Sequence, residues 1–165
     1  MAPSRGIFLR TATMTARIAF QGEPGAYSHQ ACHDARPELE ALPCRTFEDA
    51  MEAVRDGSAE LAMLPVENST FGRVADIHHL LPKSGLHIVS EAFVRVHINL
   101  LALPGTRLED VDRAMSHTML LGQCRAFLSK HGIRRITGAD TAGSAKHVAE
   151  VAEPGLAALA SELAG

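Results

Sequence analysis

Residues 61–70 read Leu61-Ala62-Met63-Leu64-Pro65-Val66-Glu67-Asn68-Ser69-Thr70, and this stretch decides the fold class. Four apolar residues in a row, with no alternation, fit a strand buried on both faces of a parallel sheet. Pro65-Val66 comes next. Polar residues 67–70 follow at once. In an open α/β sheet, ligands bind beyond the carboxyl ends of the strands, so Asn68, Ser69 and Thr70 stand where a carboxylate or hydroxyl can be held. The same residues can equally cap the next helix.

Working outward, the same strand-then-helix rhythm recurs. Residues 17–21 (RIAFQ) predict a strand, ended by the breaker cluster Gly22-Glu23-Pro24-Gly25. A helix is expected from Ala26 to about Arg36, closed by Pro37, then a short strand near 42–45. Thr46 and Asp49 stand three apart like a capping box for a helix through Arg55, with Phe47, Ala50, Met51 and Val54 on one face. Residues 75–81 predict a helix stopped by Pro82. The stretch 86–103 (LHIVSEAFVRVHINLLAL), rich in β-branched residues, has room for two strands and a crossing between lobes. After Pro104-Gly105 the expected order is strand 113–116, helix 119–131, strand 133–136, helix 141–152 and strand 156–160. Leu120, Leu121, Cys124, Phe127 and Leu128 form the apolar stripe of the middle helix. The expected fold is therefore α/β, with parallel-rich sheets in two lobes meeting near 95–104. The loops at 22–28, 65–72, 116–118 and 139–144 are rich in small hydroxyl and amide residues.

Bulk properties bound the function. A chain of 165 residues, 46% hydrophobic and 21% charged, holds one ordinary domain or two small lobes around a cleft. Net charge is −3, and Arg134-Arg135 is the one adjacent basic pair, so the basic face that nucleic acid demands is missing. Cys32, Cys44 and Cys124 are widely spaced and odd in number, which fits a reducing, cytoplasmic setting. No apolar run approaches the ~18 residues of a membrane span. Residues 1–15 are expected to be a disordered leader, with Met14 as a possible start; the apolar core Ile7-Phe8-Leu9 is too short for a secretory signal.

Two further constellations matter. Ser116-His117 ends a strand, and Gln123 lies one to two turns into the following helix, so the three can converge on an anion. A Ser–His nucleophilic pair is disfavoured, because neighbours on a strand point to opposite faces and no Gly-x-Ser-x-Gly elbow is present. Asp140-Thr141-Ala142-Gly143-Ser144 opens a helix whose small residues let backbone N–H groups approach an anion; a plain cap by Asp140 or Thr141 is the alternative. The cluster at 22–25 matches no nucleotide-binding motif. His29 and His33 have helical metal-ligand spacing without a third ligand, so no metal is expected.

Taken together, these segments resemble prephenate dehydratases. The resemblance rests on Phe20-Gln21-Gly22-Glu23-Pro24-Gly25-Ala26-Tyr27-Ser28-His29, on Leu64-Pro65-Val66-Glu67-Asn68-Ser69-Thr70 followed by Gly72, on Ser116-His117 with Gln123-Cys124-Arg125, and on Asp140-Thr141-Ala142-Gly143-Ser144-Ala145, in that order. It implies a fold like type II periplasmic binding proteins, with lobe 1 over 16–95, lobe 2 over 96–165 and a cleft between them. It implies conversion of prephenate to phenylpyruvate with no cofactor, in proteins that tend to form homo-oligomers. Asn68, Ser116 and Gln123 take the catalytic roles by resemblance; Ser69, Thr70, His117, Thr141, Ala142, Gly143 and Ser144 take substrate-binding ones. The family's Thr-Arg-Phe motif, a source of a catalytic threonine, and its ACT-type regulatory domain have no counterpart in these 165 residues. Lobe 2 and its return strand are accordingly expected to be incomplete, and this chain alone marginally stable and weakly active or inactive. Arogenate dehydratase and a non-catalytic small-anion binding module are the alternatives.

Overall fold

The computed structural model describes residues 16–70 and 72–165; the expected leader and the Met14 start lie outside the described residues. The first sheet has β1 (Arg17–Gln21) between β2 (Glu40–Cys44) and β3 (Leu61–Met63), all parallel. Ile18 and Phe20 pack with Cys32 of α1 (Tyr27–Ala35), while Ala19 packs on the opposite face with Ala50 and Ala53 of α2 (Phe47–Arg55). This division by alternate residues is what a central strand covered on both faces requires. α2 opens on the expected box: Thr46 Oγ1 accepts the Asp49 N–H at 3.0 Å, and Asp49 Oδ2 accepts the Thr46 N–H at 3.2 Å. A short ribbon, β4 (Glu67–Asn68) antiparallel to β5 (Gly72–Arg73), precedes α3 (Ala75–Leu80).

The second sheet comprises β6 (Asn99–Leu101), β7 (Arg113–Ser116), β8 (Arg134–Thr137) and β9 (Leu156–Ala160), in the order β6-β9-β7-β8. β7 runs parallel to both β8 and β9, whereas β6 is antiparallel to β9. Leu156, Ala158 and Ala160 pack with Ala145 and Val148 of α6 (Thr141–Val151). Ala157 and Leu159 face the other way, toward Leu121 of α4 (Thr118–Gln123) and Leu128 of α5 (Arg125–Lys130). Among the described residues no helix is long and apolar enough to cross a membrane.

The α/β class with parallel-rich sheets stands as expected; four details differ. The strand buried on both faces is β9, all five residues of which are buried, while β3 is a part-buried edge. The expected helix 119–131 breaks at Cys124 (φ −89°, ψ 7°), two residues after Gly122, a poor helix former. Phe127 leaves the stripe, 41% exposed, with its ring against His131. Of 86–103, only β6 is a strand: residues 86–98 pair with no strand among the described residues, and Ile88, Val89 and Phe93 lie exposed. β-Branched side chains favour a pleated surface but do not supply the partner that makes a strand.

Candidate functional site

Because β1, β2 and β3 are parallel, the loops that leave them share one edge of the first sheet. The loops after β7, β8 and β9 share an edge of the second for the same reason. The two edges meet. Ser161, just past β9, donates its hydroxyl to the Gly25 carbonyl past β1. Lys146 Nζ of α6 lies 3.5 Å from Glu23 Oε2, and Tyr27 donates its phenol to the His97 carbonyl at 2.8 Å. Between the edges is a cleft of about 360 Å³ whose lining includes Gln21, Gly22, Glu23, Pro24 and Arg45 from the first sheet and Asp140 from the second. A second hollow of about 270 Å³ lies beside Asp140, lined in part by Met115, Gly138, Gly143, Ser144 and His147.

The predicted residues fall into different positions. Asn68 sits on β4, where its Oδ1 accepts the Thr70 N–H at 2.9 Å and shapes the turn that exposes Ser69 and Thr70. Gln123 is exposed at the last position of α4. His117 is the N-cap of α4, its Nδ1 accepting the Met119 N–H at 3.4 Å. Ser116 is fully buried, and its Oγ donates to the Leu159 carbonyl at 2.7 Å. That hydroxyl ties β7 to β9. At α6 the cap alternative is the observed one: Asp140 Oδ1 accepts the Gly143 N–H at 2.6 Å, and Ser144 Oγ donates to the Asp140 carbonyl at 2.6 Å. A methyl group on Gly143 would lie 2.8 Å from Asp140 Oδ2, so the absence of a side chain here makes room for the capping carboxylate. Ala142 and Ser144 are buried, while Thr141 is half-buried at the first position of α6. Gly143 and Ser144 line the second hollow; Asn68, Ser69, Thr70, His117, Gln123 and Thr141 line neither.

Sequence reasoning passed over Glu23, Arg45, Asp140 as a cleft residue, and Tyr27. Only the Gly/Pro cluster marked the first of these, and nothing local says that residues 23, 45 and 140 share a wall. Burial, and then the charge of nearby Cys124, raise the Tyr27 phenol to about 12, so it stays a protonated donor at neutral pH. Burial pushes the Cys32 thiol to about 12 and also raises Cys44 and Cys124, so none of the three is a ready thiolate. Among the described residues no group of three His, Cys, Asp or Glu is arranged to hold a metal.

The prephenate dehydratase family profile matches residues 18–165. The chain is 50% identical over 147 residues to a bifunctional N-acyl-homoserine lactone acylase/prephenate dehydratase of Komagataeibacter europaeus, covering 89% of this chain and 52% of that one. It is 46% identical to arogenate dehydratase 1 of Petunia hybrida, covering 82% of this chain and 32% of that one. The solved structure of GqqA, described as a novel type of quorum quenching acylase, matches with a TM-score of 0.84 at 50% identity, over 89% of this chain and 54% of that one. Prephenate dehydratase from Arthrobacter aurescens, solved with L-Phe, matches with a TM-score of 0.82 at 30% identity, over 90% of this chain and 51% of that one. The chain thus spans about half the length, or less, of these relatives, and its two-sheet architecture is theirs, that of type II periplasmic binding proteins. With its ordered motifs, its fold and the profile match all in agreement, the chain belongs to the prephenate dehydratase family.

Proposed function

We propose that the cleft between the two sheet edges binds prephenate and that the chain serves its conversion to phenylpyruvate. The observation that carries this reading is the cleft itself: carboxyl-end loops of two parallel-rich sheets, meeting around about 360 Å³, in a chain of this family. Prephenate carries two carboxylates and a ring hydroxyl. The ring carboxylate leaves as carbon dioxide, its bonding pair enters the ring, and the hydroxyl departs with a proton as water. Aromatisation drives the step, so the protein has to orient the dianion and assist the leaving hydroxyl. Arg45 contributes positive charge at the wall of this cleft; Asn68, Ser69, Thr70, Ser116, Gln123 and Thr141, which do not line it, are proposed as polar contacts because they stand in the family's motifs. The three cysteines, none in a disulfide, fit a cytoplasmic setting, and homo-oligomer formation belongs to the same reading.

Asn68→Ala tests the site. A hydrogen bond to a charged group contributes ~1.5–3 kcal/mol, so prephenate affinity should fall about 10- to 100-fold. Melting temperature should move little, since Asn68 is a turn residue outside the core. Unchanged titration of prephenate by the variant would remove Asn68 from the site.

Two relatives' names raise second readings. Arogenate differs from prephenate by an amino group in place of the keto group, and parallel titration of both acids ranks them. N-Acyl-homoserine lactone cleavage, named for the Komagataeibacter relative, needs an activated nucleophile. Ser116 is buried and His117 is committed to its cap, so that pair does not supply one.

A further inference from the structure

We infer that His29, as the neutral imidazole, is a positioning residue that holds the cleft loop at 22–25 in register with the edge of the second sheet. The Gly25 N–H donates to His29 Nδ1 at 2.9 Å. That bond requires Nδ1 to be bare of its proton; a protonated imidazole would present N–H to N–H. The ring cannot simply turn away, because it stacks on the buried Phe20 ring with centroids 5.2 Å apart and planes 9° apart. The other end of the same residue is held from the second sheet, where Ser161 donates to the Gly25 carbonyl. Gly25 adopts φ +90°, and a methyl group there would lie 2.7 Å from Ala164 Cα, so the peptide is clamped closely on both sides. Gly22, Glu23 and Pro24, immediately before it, line the cleft. His29 itself does not line the cleft, so it acts on it through Gly25.

Among the described residues, charged or titratable groups near this junction include His33, Glu23, Lys146 and Glu162, with Arg45 and Asp140 across the cleft. His33, one turn along α1, disfavours a charge on His29, after the larger effect of burial, and both lower its pKa from 6.5. Glu23 of the loop is paired with Lys146 of α6, and Glu162 lies on the C-terminal turn next to Ser161. With the folded value lowered, the unfolded chain binds the proton more readily. The contribution of this contact to stability is therefore fully present above pH about 6.5 and is lost as pH falls through the folded value.

The test reads the loop, not the substrate, so its failure is distinct from failure of the prephenate reading. Hydrogen exchange of the Gly25 amide, corrected for intrinsic rates, is followed by NMR between pH about 8 and about 5. In the wild type, protection should drop about tenfold toward the acid end as the acceptor is lost. His29→Asn, whose Oδ1 can occupy the place of Nδ1 without titrating, should keep protection flat with pH. His29→Phe keeps an aromatic stack without an acceptor and should be unprotected throughout. If His29→Phe does not fold, the wild-type profile against His29→Asn still decides. Equal Gly25 protection at both pH values in the wild type, or a parallel acid loss in His29→Asn, overturns the inference.

Discussion

Gly25→Ala will loosen the junction between the two sheet edges and destabilise the protein by about 1–3 kcal/mol, the usual cost of a strained backbone position. Two costs coincide there. The residue sits at φ +90°, which L side chains rarely adopt, and the new methyl would lie 2.7 Å from Ala164 Cα and 2.9 Å from its Cβ. Both atoms belong to a short residue on the turn just past β9, so relief requires backbone movement, not a rotamer change. For a chain of this size each kcal/mol lowers Tm by roughly 2–4 °C. Gly57→Ala is the control: it shares a positive φ, +80°, but its added methyl meets nothing within 4 Å. Thermal melts should show Gly25→Ala well below Gly57→Ala, with prephenate affinity reduced in the former alone. Equal melts would mean that the Gly25–Ala164 contact contributes nothing.

The largest loss of stability is expected from Phe20→Ala. Phe20 is 1% exposed, packed with Ile18 and Cys32 between β1 and α1, and it is the floor on which His29 stacks. Emptying a buried Phe site costs about 3–5 kcal/mol, against a total stability of about 5–15 kcal/mol for a native protein. Denaturant unfolding should show roughly a fifth or more of the stability gone, and the Gly25–His29 bond should lose its protection along with the ring. Phe127→Ala, at an exposed aromatic on α5, should stay within about 0.5 kcal/mol of wild type. A Phe20→Ala variant as stable as Phe127→Ala would contradict the assigned core.

The order of elements was legible because their signals are local. The breaker cluster Gly22-Glu23-Pro24-Gly25 ends β1, Thr46 and Asp49 form the box that opens α2, and Asp140 caps α6. What depends on strand order was not. Leu61-Ala62-Met63-Leu64 is more apolar by pattern than its place as an edge strand allows, while the alanine-rich Leu156-Ala157-Ala158-Leu159-Ala160 is the fully covered strand because it lies between β6 and β7. Ser116 illustrates the same limit at the site. A serine at a strand end looks available in sequence, yet pairing of β7 with β9 puts its hydroxyl on the Leu159 carbonyl. Glu23, Arg45 and Asp140 are separated by up to 117 positions (140 − 23), and only the meeting of two sheets places them in one cleft. The resemblance supplied the chemistry that no spacing in this chain encodes.

The most direct test is calorimetric titration of prephenate into a polypeptide of these 165 residues at mildly alkaline pH, with phenylpyruvate followed in the same samples. Saturable binding of one prephenate per chain, weakened in Asn68→Ala and in Gly25→Ala, with phenylpyruvate forming slowly or not at all beyond the protein-free rate, is the predicted result. No saturable binding of prephenate by a chain that melts cooperatively would contradict the account.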